Sequence, residues 1–110
     1  MLKVHVELLR KEEFMVSRTS TWTGSEVALE KWAKHVIEKV GPFVAGLPGN
    51  AGALFLIDRE GASAFTLTLW ESEEAAAESD RNAEQSRAST VAATGVELVE
   101  RGRYEVVAQV

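Results

Sequence analysis

The chain has 110 residues and a mass of 12.0 kDa, enough for one core and too little for two independent domains. Hydrophobic residues at 45% and charged residues at 26% exclude disorder, collagen-like repeats and coiled coil on composition. Twelve Lys and Arg against seventeen Asp and Glu leave a net charge of −5, which argues against a nucleic-acid or anionic membrane surface. The lack of cysteine excludes disulfides, a thiolate nucleophile and Cys-based zinc or iron–sulfur sites, and with two His any metal would rest on carboxylates, so none is expected. No apolar stretch approaches the ~20 residues of a membrane span and no signal peptide is visible, so the expectation is a cytoplasmic protein without membrane contact.

Residues 2–10 alternate Val4, Val6 and Leu8 with Lys3, His5 and Glu7, the period of a half-buried strand. After the charged break at residues 10–13, residues 14–22 are again strand-like, with Phe14, Val16, Arg18, Ser20 and Trp22 on one face, and the two pieces fit either a hairpin or one long strand with a bend. Thr23-Gly24-Ser25-Glu26 has capping-box form, with Thr23 as the cap of a first helix. Leu29, Trp32, Ala33, Val36, Ile37 and Val40 then make one apolar stripe, and Gly41-Pro42 is expected to stop the helix. His35 falls on the polar side, facing solvent.

The glycines of residues 46–52 precede a strand and lack a Lys-Ser/Thr ending, so they are turn geometry and not a phosphate loop. Residues 53–57, Ala-Leu-Phe-Leu-Ile, form an apolar run of the kind found in interior strands. Asp58-Arg59-Glu60-Gly61 predicts a hairpin turn in which Gly61 takes positive φ. Residues 62–70 make the clearest strand, with Phe65, Leu67 and Leu69 on one face and Ala64, Thr66, Thr68 and Trp70 on the other. Ser72 caps a second helix that Gly95 ends. Its stripe of Ala76, Ser79, Ala83, Arg87, Thr90 and Val91 is poor in large side chains, and Arg81 and Arg87 are expected to pair with Glu78 and Glu84. Residues 96–99 and 104–110 predict strands interrupted near Gly102.

This β(β)αββαβ order predicts an α+β fold of ferredoxin-like split βαβ type, an antiparallel sheet with both helices on one face. The bulky face of Phe65, Leu67 and Leu69 is assigned to the helices. The opposite face then needs a cover, for which a second copy of the chain is the simplest, giving a homodimer.

Gly46-Leu47-Pro48-Gly49-Asn50-Ala51-Gly52, the turn at residues 58–61 and Thr68-Leu69-Trp70-Glu71-Ser72-Glu73-Glu74-Ala75 resemble the dimeric α+β barrel superfamily, and within it the antibiotic biosynthesis monooxygenase-like domain, over residues 14–107. The resemblance implies one such domain over residues 1–110, with residues 2–10 as an extra N-terminal strand. It implies a cofactor-independent monooxygenase acting on a phenolic or polyketide-like aromatic substrate, without metal, flavin or other cofactor. The alternative is a non-catalytic protein that binds a small aromatic molecule or serves as an accessory dimer.

Two positions depart from the pattern. The monooxygenases resembled carry Asn four residues before the Trp, where this chain has Thr66, and the haem-degrading members carry an iron-ligating His where Ser79 and Asp80 stand. Haem binding through His5 is the remaining haem reading. The candidate pocket residues are Trp70, Thr66, Thr68, Arg18, Trp22 and His5, with no catalytic residue assigned. Trp70 is either a pocket wall or an interface aromatic, and Arg18 either an anion ligand or one half of a salt bridge across a dimer. His5 is either half of an acid–base pair with Glu7 or an edge-strand residue in solvent.

Overall fold

A computed structural model describes residues 14–110. The strand expected over residues 2–10, and with it His5, lies outside the described residues. Among the described residues four strands, β1 (Val16–Thr23), β2 (Asn50–Asp58), β3 (Ser63–Trp70) and β4 (Glu97–Glu105), form one antiparallel sheet in the order β2-β3-β1-β4. This is the α+β, ferredoxin-like arrangement the element order predicts. Among the described residues no helix is long and apolar enough to cross a membrane.

The first helix, α1 (Glu26–His35), is capped by Ser25, whose side chain accepts from the Ala28 N–H. Thr23 is not the cap: its hydroxyl donates to the Ala62 carbonyl and ties β1 to the turn before β3. Nor does Gly41-Pro42 end the helical run. A π-helical turn over Val36–Val40 leads into α2 (Gly41–Ala45), where Pro42 sits at the opening of a new turn and its missing N–H costs nothing. The wider turn keeps Val36 buried but rotates Ile37 into solvent, so Ile37 leaves the predicted stripe. His35 is half-buried, contrary to its expected solvent position.

Among the described residues the run at 53–57 lies at the edge of the sheet and not in its interior, because β2 pairs there with β3 alone. Phe55 and Ile57 pack on the core while Leu54 and Leu56 are 57% and 51% exposed. In the following turn the positive φ belongs to Ala62, at 52°, and Asp58 accepts from the Gly61 N–H. Ser72 caps α3 (Glu73–Glu78) as expected, accepting from the Ala75 N–H, but the second helix breaks at Ser79 before resuming as α4 (Asp80–Thr94). Gly95, at φ 82°, ends it with its N–H on the Val91 carbonyl. β4 runs unbroken through Gly102, which lies beside Thr19, whereas residues 106–110 are not strand. Its irregularity lies elsewhere, at Val99, which has no partner where Thr21 meets Glu100 and Trp22 meets Leu98.

The main correction concerns β3. Ala64, Thr66, Thr68 and Trp70 face the helices, and Phe65, Leu67 and Leu69 face away. Ala64 joins Trp22, Ala28, Leu29, Trp32, Val36 and Val96 in one core cluster, and Trp70 packs with Val16 and Ala76 in a second. Small side chains on the helix face of β3 leave room for indoles from β1 and α1, which the bulkier stripe would not.

Candidate functional site

Alternation along β1 puts Arg18, Ser20 and Trp22 on the helix face, and the register sets Arg18 opposite Thr68, Ser20 opposite Thr66 and Trp22 opposite Ala64. Above them lie Trp32 and Val36 of the first helical run, Phe43 and Val44 of α2, and Ser86, Arg87 and Thr90 of α4. Between the layers is a narrow cavity of about 50 Å³.

The floor is organised by indole-to-hydroxyl bonds. Trp22 Nε1 donates to Thr66 Oγ1 at 3.2 Å, and Trp70 Nε1 donates to Thr68 Oγ1 at 2.9 Å. Each hydroxyl thereby spends an acceptor site and keeps its hydrogen to donate. Trp32 Nε1 is buried without a partner among the described residues. The cavity wall is therefore apolar in area and donor-rich in its polar atoms.

Arg18 is 8% exposed, and its guanidinium has, among the described residues, three hydrogen bonds within its own chain. Nη1 donates to Ser79 Oγ at 2.9 Å, Nη2 donates to the Ala76 carbonyl at 2.7 Å and pairs with Asp80, and the guanidinium lies 5.5 Å from the Trp70 ring centroid. At the break between α3 and α4 the Ala76 carbonyl accepts from Arg18 as well as from the Ser79 hydroxyl, and Ser79 and Asp80 both turn toward the buried cation. Arg103 pairs with the same Asp80. Burial lowers the Arg18 pKa, the Asp80 hydrogen bond and charge oppose that, and the Arg103 charge adds to the lowering. An arginine starts high enough to stay protonated at neutral pH.

The structure thus brings Trp70, Thr66, Thr68, Arg18 and Trp22 to one cavity. It places Trp70 at 1% exposure inside the subunit, and it gives Arg18 intrachain partners where a salt bridge across a dimer was the competing reading. Ser79 and Asp80, at the position of the haem-ligating His, are occupied with Arg18. Sequence reasoning missed Trp32 and Arg87 as cavity residues. Trp32 reads as one more member of a core stripe. Arg87 shares the stripe of Ala76, Ser79, Ala83 and Thr90, which is the signal that places it at the cavity, although a pair with Glu84 is the expectation from its i,i+3 neighbour. Among the described residues Arg87 makes no ion pair, and no three His, Cys, Asp or Glu side chains come together as a metal site.

No protein-family model matches the sequence, and no curated protein sequence matches it closely. Solved structures do. A monooxygenase from Streptomyces coelicolor, ActVA-Orf6, solved with nanaomycin D, superposes with a TM-score of 0.61 at 16% identity over 90% of this chain and 89% of its own. SnoaB, a cofactor-independent oxygenase from Streptomyces nogalater, superposes with a TM-score of 0.62 at 18% identity over 88% of this chain and 96% of its own. A Chloroflexus aurantiacus protein proposed to be an antibiotic biosynthesis monooxygenase gives 0.59 at 14% identity over 86% and 95%. The chain has an antibiotic biosynthesis monooxygenase-like fold. At these identities the likeness is one of fold.

Proposed function

We propose that the protein is a cofactor-independent monooxygenase that acts, as a homodimer, on a phenolic or polyketide-like aromatic substrate. The observation that carries this reading is the cavity floor, where Thr66 and Thr68 hold spare hydroxyl hydrogens beside the buried Arg18 guanidinium and the Trp70 ring. An anthrone-type substrate needs its oxygen held while its ring methylene loses a proton to solvent. The two hydroxyls donate to that oxygen, and the nearby positive charge favours the anion. The anion passes an electron to dioxygen, and recombination forms a carbon-bound peroxide. The peroxide takes a proton back from solvent and eliminates water with the remaining hydrogen of that carbon, leaving one oxygen atom as a new ring carbonyl and the other in the water. A cavity of about 50 Å³ holds a few waters, so ring entry requires Phe43, which is partly exposed, and Arg87 to swing outward.

Oxygen uptake with anthrone tests the proposal. The expected result is protein-dependent uptake of one dioxygen per anthrone, slowed about tenfold in Thr66→Val for one lost hydrogen bond. Uptake no faster than in buffer would overturn it. A second reading, a binding protein without turnover, is favoured by the Arg18 guanidinium being already committed to Ser79, Ala76 and Asp80. It predicts saturable quenching of Trp fluorescence by anthrone with no oxygen consumed.

A further inference from the structure

Beside the cavity, an open cleft of about 410 Å³ runs between α4 and β4, walled by Arg18, Arg87, Arg101 and Arg103 against Asp80 and Glu84. Four cations face two anions, in a chain whose net charge is −5. Asp80 is already shared by Arg18 and Arg103. Arg87 and Arg101 make no hydrogen bond or ion pair among the described residues, and Glu84 is left as the one acid beside them. Burial and the charges of Arg101 and Arg18 lower the Arg87 pKa ahead of the opposing effects of Glu84 and Asp80.

The cleft is joined to the cavity. Arg18 and Arg87 line both, and the register of β4 sets Arg101 opposite Ser20 and Arg103 opposite Arg18, on the cavity's face of the sheet. Two guanidinium groups with unused donors, next to an apolar slot, fit a ligand with an apolar ring at one end and an oxyanion at the other. We infer that the Arg87–Arg101 cleft is an anion subsite, and that the ligand of this protein is an aromatic compound carrying a carboxylate or phosphate arm that leaves the cavity between α4 and β4. This deepens the small-aromatic reading of the cavity and rests on it for the ring end alone.

The test is calorimetric titration of the full chain with naphthol, naphthoate and naphthyl phosphate, repeated with Arg101→Gln and Arg101→Lys. Arg101 is exposed, so neither change disturbs the core. Wild type is expected to bind at least one of the two anions about tenfold more tightly than naphthol. That preference should weaken with added salt, shrink severalfold in Arg101→Gln and largely return in Arg101→Lys. The preferred anion identifies the arm. Equal binding of all three compounds, or a preference untouched by Arg101→Gln, overturns the subsite while leaving the cavity reading intact. Binding of the anions without naphthol overturns the cavity reading and supports the subsite, and binding of none overturns both.

Discussion

Arg18 decides the local structure around the candidate site, since one buried guanidinium organises a helix break, a cation–π contact and an ion pair. Removing one partner of a buried pair costs roughly 3–5 kcal/mol when both ions are enclosed. Asp80 is half-exposed and keeps Arg103, and the Ala76 carbonyl keeps the Ser79 hydroxyl as a donor, so Arg18→Met is expected to cost less, about 2 kcal/mol in urea unfolding, chiefly from the lost charge-assisted hydrogen bonds to Ser79, Ala76 and Asp80. A loss under 0.5 kcal/mol would show that these contacts are replaced by water. Strand parity made Arg18, Trp22, Thr66, Thr68 and Trp70 legible as residues of common faces. The partners of Arg18 were not legible, because nothing in a run of Ala, Glu and Ser announces that the helix will break at Ser79 to meet a cation 61 residues earlier in the chain.

At the scale of elements, the turns that set the layers depend on backbone conformations a side chain resists. Gly95 has φ 82° and an added Cβ would find ordinary contact, 3.9 Å from Ala28 Cβ, so Gly95→Ala should cost about 1 kcal/mol from backbone strain alone. Gly49 has φ 77° and its added Cβ would lie 2.5 Å from Ala75 Cβ, against the first turn of α3. Gly49→Ala is therefore expected to cost clearly more than Gly95→Ala, and equal urea midpoints for the two would refute that ordering. The order of strands and helices was readable from periodicity, Ser72 and Gly95. The facing of β3 was not, because the rule that the bulkiest stripe meets the helices assumes a filled interface. Here Thr66 and Thr68 border a cavity, and the bulk is supplied by Trp22 and Trp32 from the other elements.

For the whole molecule, the inverted facing of β3 changes which residues a dimer must cover. Leu54 and Leu56 of β2 lie exposed on the face that carries the partly buried Phe65, Leu67 and Leu69 of β3, and among the described residues no helix packs on this run of large apolar side chains. A homodimer joined through this face buries it while leaving the cavity and the arginine cleft, both on the opposite side of the sheet, open to ligand. Thr68 is a residue of the cavity and does not lie on that apolar face. Leu54→Glu sets a charge at the centre of the proposed contact, on a side chain whose loss costs a subunit alone little because it is already exposed. Sedimentation equilibrium is expected to give twice the chain mass of 12.0 kDa for wild type and the single-chain mass for Leu54→Glu, with unchanged far-UV circular dichroism. A wild type that sediments as a monomer, or a Leu54→Glu protein that stays dimeric, would move the contact to another surface and leave the apolar face unexplained.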